Sequence, residues 1–141
     1  MKVVINNEYG GYGLTREILI MYLERTNTPY TIYYSGGYNH IIVDDNPFGH
    51  DDIERHDPIL IEILEEIGWE QRGLKIAVIP DFAKYSIGEY DGMEWIENTW
   101  INITANELRA GLSEERLEQA SQVNCIKVTV FTPEELALYF K

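Results

Sequence analysis

Between positions 89 and 100 the chain brings the carboxylates of Glu89, Asp91 and Glu94 together with the tryptophans Trp95 and Trp100. Acids grouped in this way perform general acid–base chemistry when a neighbour, or burial against an aromatic ring, raises the pKa of one carboxyl. Strand alternation puts Glu89 and Asp91 on one face, and Glu94 returns from the far side of a turn. No nucleophile accompanies them, since the sequence has no Gly-x-Ser-x-Gly, no Cys–His arrangement and no histidine in this stretch. A second group of residues suits binding better than reaction. Gly10, Gly11 and Gly13 lie between an apolar run and a helix start near Thr15, where backbone N–H groups can approach an anion. The loop has neither the lysine of a P-loop nor the spacing of a dinucleotide fingerprint. Arg16 opposes the dipole in the first turn of that helix, and Arg55 stands just before a second helix start at Asp57-Pro58. Arg55 is therefore either a surface partner of Asp57 or an anion ligand. With Arg109 these cations suit a phosphate, while Tyr9, Tyr12, Phe82, Trp95 and Trp100 supply rings on which a base could stack. Taken singly, each ring reads better as core packing.

His40, His50 and His56 fall in or beside a polar segment with Asp44, Asp45, Asp51, Asp52 and Asp57. Their spacing matches no ligand motif, and oxygen ligands do not alternate around a glycine turn, so no metal and no cofactor are expected. The single Cys125 rules out an intramolecular disulfide and reads as a buried thiol in a late strand.

The elements that must hold these groups follow from pattern. Lys2 to Ile5 reads as a strand, and a helix from Thr15 to Arg25 puts Ile18, Leu19, Tyr22 and Leu23 on its core face. Thr28-Pro29 ends that helix. Strands are expected over Tyr30–Tyr34 and His40–Val43, with an exposed loop over Asp44–Asp52. Asp57 caps a helix that has Pro58 first, the stripe Ile59, Leu60, Ile63, Leu64 and Ile67, and Gly68 as its stop. Leu74 to Ile79 is an apolar run read as a buried strand, with Val78 in the core. Asp91-Gly92 between two β-prone runs predicts a hairpin over Lys84–Gly88 and Met93–Ile96. Thr104 to Glu107 is a capping box opening a short helix that ends at Gly111. A further helix over Ser113–Ala120 should rest on Leu112, Leu117 and Ala120. Asn124–Phe131 reads as a strand, and Thr132-Pro133-Glu134-Glu135 as the start of a terminal helix. The fold class expected is α+β: one domain over residues 1–141, with a mixed or antiparallel sheet and helices packed mainly on one face.

The chain has 141 residues and a net charge of −13, carried by 24 acids against 11 Lys and Arg. That length buries one sizeable core and is short for two ordinary domains. The charge disfavours DNA and anionic membrane surfaces, yet it does not exclude one compact anion. No apolar run approaches the ~20 residues of a membrane span. Met1 leads directly into the first strand without a charged-then-apolar leader, so a cytoplasmic location is expected. Ten tyrosines also suit an acidic, aromatic surface for a protein partner.

The stretches INNEYGGYGLT, IERHDPILIEILEEIG and LKIAVIPDFAKYSIGEYDGMEWIENTW together resemble the three signature blocks of a large group of small proteins encoded by tailed phages and prophages. The blocks cover somewhat under half of the chain, and the segment between the first two is variable in that group, which implies that the Asp/His loop is decoration. Two positions depart from the usual pattern. Phe82 stands where a second acid follows Ile79-Pro80-Asp81, and Asn98 stands where a basic residue precedes Thr99-Trp100. A phage origin implies an accessory role in the cytoplasm of an infected host. In size and compactness the chain also resembles the sponges of the Thoeris anti-defence kind, which sequester cyclic ADP-ribose isomers or cyclic oligonucleotides without cleaving them. The combined expectation is a homo-oligomeric binding protein for a small anionic nucleotide, with Tyr9, Gly10, Gly11, Tyr12, Arg16, Arg55, Phe82, Trp95, Trp100 and Arg109 at its site. The alternatives are a small hydrolase or lyase using the hairpin carboxylates and an inhibitor that binds a host protein.

Overall fold

The computed structural model describes residues 1–129, and within them the fold is α+β, with four helices and eight strands in three small sheets. The expected strand after Asn124 is seen as far as Thr129, and the terminal helix expected from Thr132 lies outside the described residues. Contacts group the chain into two compact units, one of Met1–Val78 with Glu89–Trp95, the other of Ile79–Gly88 with the chain from Ile96 onward.

In the first unit, β1 (Lys2–Asn6) pairs antiparallel with β5 (Leu74–Val78), while β2 (Thr31–Ser35), β3 (Tyr38–Val43) and β4 (Asn46–Pro47) form a separate antiparallel sheet. Helix α1 (Arg16–Arg25) starts where the Thr15 hydroxyl accepts the Ile18 N–H, and its end is a Schellman turn. There Asn27 sits at φ 54° and the Thr28 and Asn27 N–H groups reach back to Leu23 and Glu24. Helix α2 (Pro58–Ile67) is capped by Asp57, whose carboxylate accepts from Ile59 and Leu60, and it stops at Gly68 with φ 84°. Leu60, Ile63 and Leu64 are fully buried and pack with Ile18, Leu19, Leu23, Val4 and Ile41 in one cluster. The cap also fixes a contact between helices, because the Tyr22 hydroxyl donates to the second Asp57 oxygen at 2.7 Å. The phenol is pushed up to about 12 by burial first, then by that bond and the Asp57 charge.

Several expectations are corrected here. The strands do not join one sheet. The Asp44–Asp52 segment is not all loop, since it supplies β4 and a 3-10 turn at His50–Asp52. Val78 is 74% exposed instead of buried. Its strand has a single neighbour among the described residues, and while Leu74 at one end reaches the core, Val78 stands opposite the exposed Lys2 at the other.

Strand β7 (Met93–Thr104), which enters the second unit at Ile96, continues well past the expected hairpin and pairs in parallel with β8 (Cys125–Thr129). With β6 (Lys84–Tyr90) these strands make a mixed sheet in the order β6-β7-β8. A parallel neighbour requires a crossover, and α3 (Ala105–Ala110) and α4 (Glu114–Ser121) provide it. Thr104 and Ser113 cap them as the sequence predicts, the Thr104 hydroxyl accepting from the Glu107 N–H. Arg116 ties the crossover down, donating to Glu107 at 2.7 Å, to the Asn102 carbonyl at 2.6 Å and to Gln119 at 2.9 Å. Leu117 is 54% exposed, contrary to expectation. The segment EERLEQAS has one large apolar side chain and so no stripe to bury.

Candidate functional site

Residues from the first strand and its glycine-rich loop, from the start of α2 and from the hairpin tip meet at one cluster in the first unit. Asn6, at the end of β1, is 2% exposed, and its side-chain amide donates to the carbonyls of Glu8 and Gly92 at 2.6 and 2.7 Å. Its backbone N–H donates to Glu94 at 2.7 Å. The hairpin tip turns through Asp91 and Gly92 at φ 52° and 90°, and the Gly10 N–H donates to the Asp91 carbonyl. A Cβ on Gly92 would stand 2.1 Å from the Gly11 nitrogen, so glycine is required by conformation and by contact. The glycine-rich loop therefore seats the hairpin tip instead of leaving that face open to an anion.

Arg55 closes the cluster. Its guanidinium meets the Glu94 carboxylate with two bonds of 2.7 and 2.9 Å, donates to the Val4 carbonyl at 3.2 Å, and lies over the Tyr12 ring at 3.3 Å from the centroid. Tyr12 in turn meets the edge of His50. The partner of Arg55 is thus Glu94, 39 positions away, while Asp57 is occupied by its helix and by Tyr22. Burial acts to raise the Glu94 pKa, but the Arg55 bonds, the Asn6 N–H and the arginine charge outweigh it and hold the carboxyl below its usual range. This is the reverse of what a general acid needs. Glu89 is also engaged, accepting the Gly92 N–H at 2.6 Å.

Arg16 has a different setting. It lines an open cleft of about 240 Å³ together with Leu19, Asn39, His40, Ile41, Pro47 and Phe48. Leu19 and Ile41 come from the core and Phe48 is half-buried, so the floor is apolar; Asn39 and His40 are exposed polar groups at its side. Among the described residues the Arg16 side chain meets no carboxylate. Sequence reasoning missed Asn39 and Phe48 and weighed His40 only as a metal ligand, because β3 and the residue after β4 reach the start of α1 through tertiary packing.

The other expected residues are dispersed. Tyr9 is 65% and Trp95 44% exposed in the first unit. Phe82, Trp100 and Arg109 belong to the second, where the Lys127 ammonium lies 3.6 Å from the centre of the Trp100 ring and the Arg109 Nε–H donates to the Ala105 carbonyl. Of the histidines, His40 contacts the Ser35 carbonyl, His50 pairs with Asp51, and His56 with Glu54. No group of three metal-ligating side chains occurs among the described residues, and no helix there is long and apolar enough to cross a membrane. Comparison with protein-family models, with curated proteins and with solved structures finds no match to the chain.

Proposed function

We propose that the chain captures a small anionic ligand in the cleft lined by Arg16, Asn39 and His40, and holds it without chemical change. The observation that carries this reading is Arg16: in a chain of net charge −13, an exposed guanidinium stands at a cleft and meets no described carboxylate. A guanidinium binds phosphate or carboxylate with paired N–H donors. The Asn39 amide and the His40 ring add hydrogen bonds at the side, and the Leu19, Ile41, Pro47 and Phe48 floor suits a flat apolar ring. A nucleotide combines these two chemistries. The resemblance to phage accessory proteins narrows the class to nucleotide immune signals, cyclic ADP-ribose isomers or cyclic oligonucleotides, sequestered in the host cytoplasm.

Retention is favoured over turnover because the described residues that line the cleft include no carboxylate to pair with the His40 ring, and because Glu94 and Glu89 are tied up elsewhere. Thermal shift with a panel of these nucleotides tests the reading. A ligand at ~100-fold over its dissociation constant adds about 2.7 kcal/mol of stability. The expected result is a shift with at least one nucleotide, lost in Arg16→Ala and reduced in His40→Ala, with intact ligand recovered after denaturation. No shift with any nucleotide sinks the proposal, and recovery of a cleaved product makes the chain an enzyme.

A further inference from the structure

We propose that β2 is a self-association edge, through which two copies of this chain pair antiparallel to join their β2-β3-β4 sheets. In the order β2-β3-β4, β2 has a neighbour on one side only among the described residues. The ribbon turns through Gly36 and Gly37 at φ 63° and 85°, with Ser35 opposite Tyr38. A two-residue turn of this kind makes that closing pair a hydrogen-bonded one, and the alternation of an antiparallel ladder then directs the Ser35, Tyr33 and Thr31 backbone groups toward β3. The N–H and carbonyl groups of Ile32 and Tyr34 are left facing outward. Proteins usually protect such an edge with lysine, proline, a bulge or a covering segment, whereas Thr31-Ile32-Tyr33-Tyr34-Ser35 contains neither lysine nor proline and every residue in it is exposed.

Charge selects the occupant. From Thr26 to Val43 there is no Asp, Glu, Lys or Arg, although a quarter of the chain is charged. A basic partner would be drawn to the acidic remainder of the surface. A second copy, also at −13, meets least repulsion along this neutral ribbon. The edge is also self-complementary. With Tyr33 opposite the partner's Tyr33 on a two-fold axis, Ile32 stands opposite the partner's Tyr34, and the two outward pairs of backbone groups satisfy each other. Each pairing sets an exposed isoleucine against an exposed tyrosine, Ile32 at 47% and Tyr34 at 70%. This inference uses the ribbon's edge rather than the cleft and stands apart from the ligand reading.

Sedimentation equilibrium on the full chain tests it. The expected mass rises with concentration from the 16.4 kDa of one chain toward twice that value, and added salt promotes the rise by screening like charges. Ile32→Pro removes an outward N–H and spares the bonds to β3; Tyr34→Lys puts a charge on the edge at an exposed position. Each is expected to remain monomeric while its circular dichroism matches that of the parent chain. If Ile32→Pro fails to fold, Tyr34→Lys decides alone. A parent chain that stays at 16.4 kDa up to its solubility limit overturns the proposal. So does a dimer that persists in folded Tyr34→Lys or in folded Ile32→Pro.

Discussion

Arg55 and Arg16 occupy similar places in the sequence, each at the start of a helix where an acid would suit the dipole better, yet the fold gives them opposite surroundings. Arg55 has two bonds to Glu94, one to Val4 and a ring beneath it, and its side chain is 23% exposed against 8% for Glu94. Arg16 is exposed beside a cleft. The first arginine is saturated by protein groups, and such a cation contributes to the fold and has little capacity left for a ligand. The second adds little to the fold and keeps its donors. A cation's position on a helix thus says that its charge is unsatisfied locally, and the rest of the chain decides whether a protein carboxylate or a ligand supplies the remedy.

Substitution should separate the two most sharply at Arg55. Arg55→Ala strands a mostly buried carboxylate, and breaking such a pair costs about 3 kcal/mol, measured by urea denaturation; Arg16→Ala should stay within about 0.5 kcal/mol of the parent chain. Equal costs would erase the distinction. Gly92→Ala attacks the same cluster from the hairpin side. The left-handed φ and the clash with the Gly11 nitrogen together should cost about 2–3 kcal/mol, and a cost near zero would mean that the tip does not seat on the glycine loop.

Acid titration gives a smaller and more specific effect. The Glu94 carboxyl is held below its ordinary value of 4.5, so its contribution is complete above that pH and is lost as pH falls through the lower, folded-state value. The stability gap between the parent chain and Glu94→Gln should therefore narrow in acid below that window and be constant above it. A gap independent of pH would show that Glu94 acts through packing alone. The smallest effect is expected at Val78, where Val78→Ala should change stability by under about 0.5 kcal/mol, against about 3 kcal/mol for Leu64→Ala.

These contrasts mark what was legible in the sequence. Helix α2 was readable from end to end because its cap, first proline, apolar stripe and stop glycine are all local signals. The Asp91-Gly92 turn was readable for the same reason. The failure at Val78 has a physical origin: alternation reports which residues could face a core, but the extent of the core depends on how many neighbours the strand acquires, and β5 acquires one among the described residues. The Arg55–Glu94 pair and the association of Arg16 with Asn39 and His40 are products of tertiary packing, invisible to spacing rules. A trace of the former was present in the glycine-rich loop, the capped helix start and the hairpin that the sequence singled out, which contain or adjoin Tyr12, Arg55 and Glu94 in turn.

The seating of the hairpin tip bears also on the chemical ageing of the chain. Asp-Gly sequences isomerise when the glycine nitrogen attacks the aspartate side-chain carbonyl and closes a five-membered imide, a reaction that flexible glycine linkages permit. Here the Gly92 N–H is directed at the Glu89 carboxylate, 2.6 Å away, and a Cβ added to Gly92 would stand 2.1 Å from the Gly11 nitrogen. The attacking atom is hydrogen-bonded, and the Gly10 and Gly11 backbone beside it opposes the swing that ring closure requires. Formation of isoaspartate at Asp91 is therefore coupled to release of the tip, and its rate in a stored sample becomes a slow clock for how often this part of the molecule opens.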